Sequence, residues 1–327
     1  MKICSLLPSG TEILFSLGLG EQVAGVSDLC DYPPEALTKR VVSRSKIDVS
    51  VLSSRQVEEM MQGLLAAGES PYQLDQEWME QTCPDVVLTQ DLCYFCEVDS
   101  TAVSDAVVAM PEQPNVVVLS PRNLEEIFDS ILQVGEACGA VEASQNLVES
   151  LRARVHMVDA ALAQVGDRPK VFSLEGVDPL VIGGHWIPDL LLLAGGRQDL
   201  YPPGCPAQRL KWRQVQDYGP EKLYIDLCSS DLARGLREVG WLAAQPGWSV
   251  LPAVRTGEVY LIDHVYFSRP GPRVIQGLEI FAQLTHPDIF AGLIPPNTVA
   301  KLNPLLAGQS SPEDIGRCFQ PYPAVSE

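Results

Sequence analysis

The sequence predicts an α/β protein of two Rossmann-like lobes with parallel sheets, joined by a long helical connector. Short apolar, β-branched runs alternate with helical patterns over the first 120 residues, and the same texture returns near residue 167. Between these two regions, amphipathic helical spacing continues with hardly a loop. We expect an N-terminal lobe, the connector, a C-terminal lobe and a C-terminal tail at residues 1–121, 122–166, 167–290 and 291–327.

Four short runs in the first lobe read as strands. They are continuous apolar segments without alternation, which is typical of parallel strands covered on both faces. They lie at residues 3–7, 23–26, 86–89 and 116–119. Helical spacing predicts a helix at 56–67, with its apolar side chains on one face.

The connector is predicted to be two consecutive helices. The first runs from Asn123 to about Gly135, and the second runs from about Ala143 to Leu162 with apolar residues three or four apart. This pattern is too ordered for a flexible linker.

The second lobe repeats the alternation of strands and helices. Strands are predicted at 170–174, 223–227 and 259–262, and helices at 187–194, 232–243 and 272–284. Gly195 and Gly196 follow the first of these helices as a C-cap does. The last forty residues, rich in Pro, Gly and Ser, are expected to form a surface-packed or partly disordered tail.

Composition limits the kinds of partner. The 327 residues are 46% hydrophobic and 20% charged, which describes a globular chain rather than a disordered, collagen-like or coiled-coil one. No stretch approaches the roughly 18 apolar residues of a membrane span, so membrane insertion is not expected. With 23 basic and 42 acidic residues the net charge is −19, which argues against nucleic acid and anionic membranes as partners.

The N-terminal residues and the cysteines bear on location. Lys2 and the following apolar residues superficially resemble a signal peptide, but Pro8 and Glu12 interrupt the run and no small-x-small cleavage site follows. We interpret the segment as a strand, a turn and a helix. Nine cysteines, an odd number, favour a reducing compartment, so the sequence predicts a cytoplasmic protein.

Residues that follow the predicted strands are the candidate ligand contacts. Two lobes imply a cleft, and in open parallel sheets ligands bind beyond the carboxyl ends of the strands. The first strand leads into Pro8, Ser9 and Thr11, whose hydroxyls suit a helix cap and whose neighbouring amides suit a ligand. Tyr32 follows the second strand and offers a rigid amphipathic ring.

The segment after the strand at 86–89 holds a Cys-x-x-Cys pair. It contains Asp91, Tyr94, Cys93 and Cys96, and Cys30 follows another strand of the same lobe. Three converging thiolates can bind a soft metal ion or a metallocofactor, although one such pair is only half of a zinc site. The pair also suits a redox dithiol, and the plain alternative is three buried cysteines acting as small apolar side chains.

The remaining candidates come from three loops. His185 and Trp186 stand at a helix start, and Tyr266 and Arg269 follow the last predicted strand. Arg44 is placed in a loop after Val41 and Val42, with a solvated surface arginine as the alternative. A lone histidine is more often structural than a ligand.

Signatures of catalysis are missing from the sequence. It contains neither a G-x-S-x-G elbow nor an H-E-x-x-H motif. Its glycines match neither a dinucleotide fingerprint nor a phosphate loop. The sequence therefore does not predict an enzyme.

Four segments together resemble the periplasmic binding proteins for vitamin B12 and iron chelates. They are residues 3–20, the turn at 30–34, and the segments 178–196 and 266–273. The resemblance is closest to the cobalamin-binding branch, and the Cys-x-x-Cys segment is similar to a signal-less subgroup of it. It implies two α/β lobes with a helical backbone, a ligand between the lobes, and aromatic contacts to the corrin at Tyr32 and Tyr266. It also implies an ABC-transporter permease as partner and the periplasm as the alternative location.

The leading hypothesis is a non-catalytic protein that binds cobalamin, a related corrinoid or another metal chelate between its lobes. Tyr32, Trp186 and Tyr266 would pack against the ligand, and polar groups would orient it. Those polar groups are Ser9, Arg44, Asp91 and Arg269. The alternatives are an intracellular metal-binding or redox protein that uses Cys30, Cys93 and Cys96, and an interaction scaffold with an empty cleft.

Overall fold

A computed structural model describes residues 1–49, 51–91, 107, 112–228 and 230–323. The chain divides into two compact units. Unit 1 comprises Met1–Asp48, Gln56–Ala153 and Arg269–Pro272, and unit 2 comprises Val49–Arg55, Arg154–Ser268 and Arg273–Glu327. Residues 49–55 thus interrupt unit 1 along the chain but belong to unit 2. Residues 269–272 interrupt unit 2 but belong to unit 1.

Unit 1 contains a six-stranded sheet. In chain order its strands are β1 (Ile3–Ser5), β2 (Val23–Ser27), β3 (Arg40–Ser45), β4 (Tyr72–Leu74), β5 (Val86–Thr89) and β6 (Asn115–Val118). Their order across the sheet is β4-β3-β2-β1-β5-β6. All neighbours are parallel except β3 and β4, which are antiparallel.

Helices cover this sheet. They are α1 (Pro8–Ser16), α2 (Ser54–Ala66), α3 (Gln76–Thr82) and α4 (Leu124–Ala137). The buried apolar residues of β1 and β5 pack with Met79 of α3, and Leu14 of α1 is also fully buried. α4 begins where the Asn123 side chain accepts a hydrogen bond from the Glu126 amide, as its sequence predicts.

The helical connector is confirmed. After α4, α5 (Val141–Leu162) runs for 22 residues, and its residues belong to unit 1 as far as Ala153 and to unit 2 from Arg154. The predicted gap between the two helices is shorter than expected, because α5 starts two residues before Ala143.

Unit 2 contains a second six-stranded sheet. Its strands are β7 (Val171–Val177), β8 (Leu180–Ile182), β9 (Lys222–Ile225), β10 (Val259–Ile262), β11 (Val299–Leu302) and β12 (Phe319–Tyr322). Their order is β12-β11-β10-β9-β7-β8. Only β7, β9 and β10 are mutually parallel, and the other three strands add antiparallel pairs at the two edges.

Both sheets are therefore mixed, where the sequence predicted parallel ones. The antiparallel strands were missed because β4 and β8 are three residues long and β3 carries polar side chains. The segment expected to be a tail instead supplies β11 and β12. The sequence pattern of these two strands was not recognised because Pro, Gly and Ser residues surround them.

Helices α6 (Ile187–Leu193), α7 (Trp212–Tyr218), α8 (Leu232–Glu238), α9 (Gly240–Ala243), α10 (Pro252–Thr256), α11 (Val274–Thr285) and α12 (Pro304–Ala307) belong to unit 2. The single helix predicted at 232–243 is two helices, α8 and α9. A Cβ at Gly240 would lie 2.8 Å from the Pro312 carbonyl oxygen, so this break is a point of close backbone approach.

The segment Val49–Arg55 is held in unit 2 by charged groups. The buried Arg234 guanidinium donates to the Val49 carbonyl oxygen at 3.1 Å and to Ser54 Oγ at 3.2 Å. Arg55 makes two hydrogen bonds of 2.8 Å to the Asp178 carboxylate. This segment, which ends with the first two residues of α2, is therefore part of unit 2.

Within the described ranges, no helix is both long enough and apolar enough to cross a membrane.

Candidate functional site

The carboxyl ends of β1 and β2 meet at one edge of the unit 1 sheet, where Pro8, Ser9 and Thr11 lie. All three residues are buried, and Pro8 opens α1. Leu7 occupies the N-cap, so neither hydroxyl caps the helix and that prediction is wrong. Both hydroxyls fall inside the first turn because the helix starts at the proline.

Thr11 belongs to a buried polar cluster with Cys30. Thr11 Oγ1 lies 2.9 Å from Ser5 Oγ and 3.1 Å from Cys30 Sγ, and Cys30 Sγ lies 3.6 Å from Ser27 Oγ. Cys30 is only 3% exposed. Its thiol therefore makes hydrogen bonds with two neighbouring hydroxyl groups beneath the loop that follows β2.

The described residues do not test the predicted three-cysteine centre. In those ranges, no group of three or more His, Cys, Asp or Glu side chains is arranged to hold a metal ion. Cys93, Cys96 and Tyr94 lie outside the described residues. The role predicted for that pair stays a prediction.

Tyr32, two residues after the buried Cys30, presents part of its ring to solvent. The side chain is 42% exposed, and the peptide bond to Pro33 is cis. An exposed aromatic at the ligand-facing edge of a parallel sheet suits contact with a flat apolar ligand.

Arg269, predicted as a ligand contact, is instead buried in an ion-pair cluster. Its guanidinium forms a bidentate pair with Asp31, with Nη2 2.9 Å from Oδ2, and Nη1 lies 3.9 Å from Glu12 Oε1. Burial alone would lower the pKa of Arg269, but the hydrogen bonds and charges of Asp31 and Glu12 raise it. The guanidinium of Arg269 is therefore already paired with these two carboxylates.

Arg44 and Asp91 occupy different surroundings. Asp91 is exposed just beyond β5, and its amide donates to Ser120 Oγ at 2.9 Å. Arg44 lies within β3, paired with Gln73, rather than in the predicted loop. With Lys39, Arg40 and other residues of β3 and β4 it lines an open surface depression of about 680 Å³.

In unit 2, His185 lies in a constrained loop before α6. Its φ of 55° is left-handed, a conformation that a non-glycine residue adopts only when its surroundings fix it. Its amide bonds the Cys205 carbonyl oxygen at 2.5 Å, and its carbonyl oxygen accepts from the Gly204 amide at 3.0 Å. Burial lowers the pKa of the imidazole, so the ring is neutral at neutral pH.

Trp186 supports this loop. It is 5% exposed, and its Nε1 donates to the Phe267 carbonyl oxygen at 2.7 Å. Its ring lies 5.8 Å from the ring of His185. The indole thus links the loop before α6 to the loop after β10 and has little surface left for the predicted ligand contact.

Tyr266 lies in the loop after β10, as predicted, and is half-buried. The Arg273 guanidinium lies 5.9 Å from its ring centroid. The next residue, Phe267, is fully buried against Phe281. The backbone that carries the tyrosine is therefore fixed on one side by core packing.

Sequence reasoning missed a buried carboxyl at the same edge of the unit 2 sheet. Asp226 follows β9 and accepts a hydrogen bond of 2.6 Å from Ser173 Oγ of β7. Burial raises its pKa to about 7. The available signal was an acidic residue placed directly after an apolar strand.

Comparison with known proteins decides the family. The sequence profile of the periplasmic binding protein family matches residues 3–266. The chain belongs to this family. Periplasmic binding proteins of this kind are solute-binding and non-enzymatic.

Individual relatives are distant but match along most of their length. An uncharacterized ABC transporter substrate-binding lipoprotein, YvrC, from Bacillus subtilis is 26% identical over 300 residues, which cover 88% of this chain and 81% of the relative. A Vitamin B12-binding protein from Vibrio cholerae is 23% identical over 282 residues, covering 85% and 86%. The solved periplasmic heme-binding protein RhuT from Roseiflexus has the same fold, with a TM-score of 0.65, 21% identity, and coverage of 88% of this chain and 99% of that one.

These findings overturn the cytoplasmic prediction. The relatives are a lipoprotein and periplasmic proteins, which points to a location outside the cytoplasm. The cysteine argument failed because a chain of this size buries enough apolar surface to fold without disulfides. The cysteines in the described ranges indeed form none, so an odd count carries little information about compartment.

Proposed function

We propose that this periplasmic binding protein carries a corrinoid, or a related planar metal chelate such as heme, as the substrate-binding component of an ABC transporter. The observation that carries the proposal is the similarity to a Vitamin B12-binding protein along 85% of this chain. The ABC transporter permease is proposed as partner because a second relative is named as an ABC transporter substrate-binding lipoprotein.

The side chains available suit a flat ligand with a metal at its centre. Such a ligand needs aromatic surface for its faces and a neutral nitrogen or oxygen donor for its metal. Tyr32 supplies an exposed ring in unit 1, and Tyr266 supplies a half-buried one in unit 2. Both remain our proposed packing contacts.

His185 is our proposed metal ligand. Only the unprotonated imidazole has a lone pair for cobalt or iron, and burial favours that form by lowering the pKa. The hydrogen bonds of its backbone to Cys205 and Gly204 fix the backbone that carries the ring. Ser9, Arg44, Asp91 and Tyr94 complete the proposed set as polar or aromatic contacts.

A visible-absorbance titration with hydroxocobalamin, with hemin run in parallel, tests the proposal. We expect saturable one-to-one binding of one of the two with a shift of its absorption bands. His185→Asn should abolish the shift, because asparagine tolerates the left-handed backbone but lacks the imidazole. The matched control is His156→Asn, since His156 is exposed on α5.

The pH dependence sharpens the test. Protonation removes the metal-binding lone pair, and the pKa of His185 lies below the ordinary 6.5. We therefore expect the band shift to persist to lower pH than it would for a histidine with the ordinary pKa. Failure of both probes to bind at micromolar concentration would contradict the proposed ligand class.

A further inference from the structure

The ion-pair cluster of Arg269, Asp31 and Glu12 ties together three segments of unit 1. Glu12 belongs to α1, Asp31 to the loop after β2, and Arg269 to the short segment Arg269–Pro272. A Cβ built on Gly271 would lie 3.5 Å from Ser9, so this segment also packs against the first turn of α1.

The two proposed aromatic contacts flank this cluster along the chain. Tyr32 directly follows Asp31, and Tyr266 precedes Arg269 by three residues. The residues between Tyr266 and Arg269 have little freedom, because Phe267 is buried and its carbonyl oxygen accepts from Trp186. The Arg269–Asp31 ion pair lies one residue from Tyr32 along the chain.

Arg269 is poorly placed to contact a ligand itself. Its side chain is 9% exposed, and two carboxylates already face its guanidinium. Moving the guanidinium from these partners to a ligand would separate it from Glu12, a carboxylate only 2% exposed, and separating buried opposite charges is costly. Arg269 is therefore expected to keep its bonds to the two carboxylates when a ligand binds.

We propose that Arg269 is a positioning residue that, through its bidentate bond to Asp31, holds the loop of Tyr32 in the conformation the ligand requires. The inference rests on the proposed function, because it assumes that this ring contacts the ligand. Preorganised aromatic contacts bind more tightly because less side-chain and loop freedom is lost on binding.

The first measurement is affinity for hydroxocobalamin and hemin, in wild type and in Asp31→Asn and Arg269→Met. Each variant should bind the accepted probe about tenfold more weakly, and the double variant should be no weaker than the worse single one, as for two residues that act through one bond. The matched control is Arg152→Met, which breaks the exposed pair with Glu125 in the same unit and should change nothing.

A second measurement does not depend on the ligand. Fluorine NMR of 3-fluorotyrosine placed at Tyr32 should show a shifted and broadened signal in Asp31→Asn, and 3-fluorotyrosine at Tyr266 is the reference position. Asp31 is half exposed, so this variant keeps its fold even where Arg269→Met does not. A role confined to stability would lower the melting temperature and leave the Tyr32 signal unchanged, which would overturn the proposal.

The two measurements separate the two proposals. If wild type binds neither probe, the proposed ligand class fails, while the fluorine signal still tests whether Arg269 positions the Tyr32 ring. If wild type binds a probe and both variants bind it equally well, the positioning role is refuted and the proposed function stands.

Discussion

Individual buried polar residues at the sheet edges have specific partners rather than open surroundings. Asp226 is 1% exposed and depends on the Ser173 hydroxyl and on backbone groups to satisfy its carboxyl. Burial raises its pKa from 3.8 to about 7, so the folded protein holds a proton that the unfolded chain has released at intermediate pH. Stability must then fall as pH rises across this interval.

Asp226→Asn should remove that dependence. Between pH 4 and pH 7 the Asp226 carboxyl in the wild type should lower the free energy of unfolding by about 1.4 kcal/mol per pH unit at most, and the variant should lack this component. Urea unfolding at a series of pH values measures the difference. The control Asp217→Asn removes an exposed carboxylate, and a slope equal to that control would contradict the assignment.

The positions of the site residues were predictable, but most of their partners were not. Tyr32, His185 and Tyr266 follow strands or precede a helix, and periodicity locates those boundaries. The burial of Arg269 depends on Asp31, which lies 238 residues away in sequence. Nothing in the local pattern of either residue specifies such a pair.

At the scale of elements, the end of α6 shows how local signals and tertiary packing combine. Gly195 adopts a φ of 80°, and its amide and that of Gly196 bond Leu192 and Leu191 as in a glycine C-cap. A Cβ at Gly195 would also lie 2.5 Å from His286 Nε2. Glycine is required here both by the backbone conformation and by the histidine.

Gly195→Ala should therefore destabilise the protein more than Gly139→Ala does. Gly139 has a similar φ of 69° with no atom within 4 Å of an added Cβ, so its substitution measures the backbone penalty alone, about 1–2 kcal/mol. The excess at Gly195 reports the clash with His286. Chemical unfolding of both variants measures it, and equal losses would show that the ring simply moves aside.

Elements with continuous apolar runs were predicted closely, and those without were missed. The strands at 86–89 and 259–262 have the bounds expected from their Val, Leu and Ile residues. β3 was overlooked because only two of its residues, Val42 and Ser43, are buried. Its sequence, RVVSRS, therefore reads as a loop with a short apolar pair.

At the scale of the whole molecule, the C-terminal region completes the second sheet. β11 pairs with β10, and β12 pairs with β11, so that Val299, Leu302 and Phe319 are buried. Lys301 also bonds Glu258 at 2.5 Å and lies over the rings of Tyr260 and Tyr322. The region behaves as part of the core rather than as an appendage.

Truncation after Pro295 should consequently unfold unit 2. It removes several buried apolar side chains worth about 1.5–3 kcal/mol each, a sum comparable to the roughly 5–15 kcal/mol of a typical domain. Loss of the near-ultraviolet circular dichroism signal of Trp212 and Trp248, which lie in that unit, would report the unfolding. Leu305→Ala, at a residue 78% exposed, is the control, and a truncated chain that keeps the tryptophan signal would refute the prediction.

The exchanged segments have a consequence for protein engineering. Since residues 49–55 belong to unit 2 and 269–272 to unit 1, neither unit is encoded by one uninterrupted stretch of the gene. A chimaera that grafts only residues 1–153 onto another scaffold would carry Arg55 without Asp178 and Asp31 without Arg269. Recombination between family members thus has to move these short peptides together with the large ones.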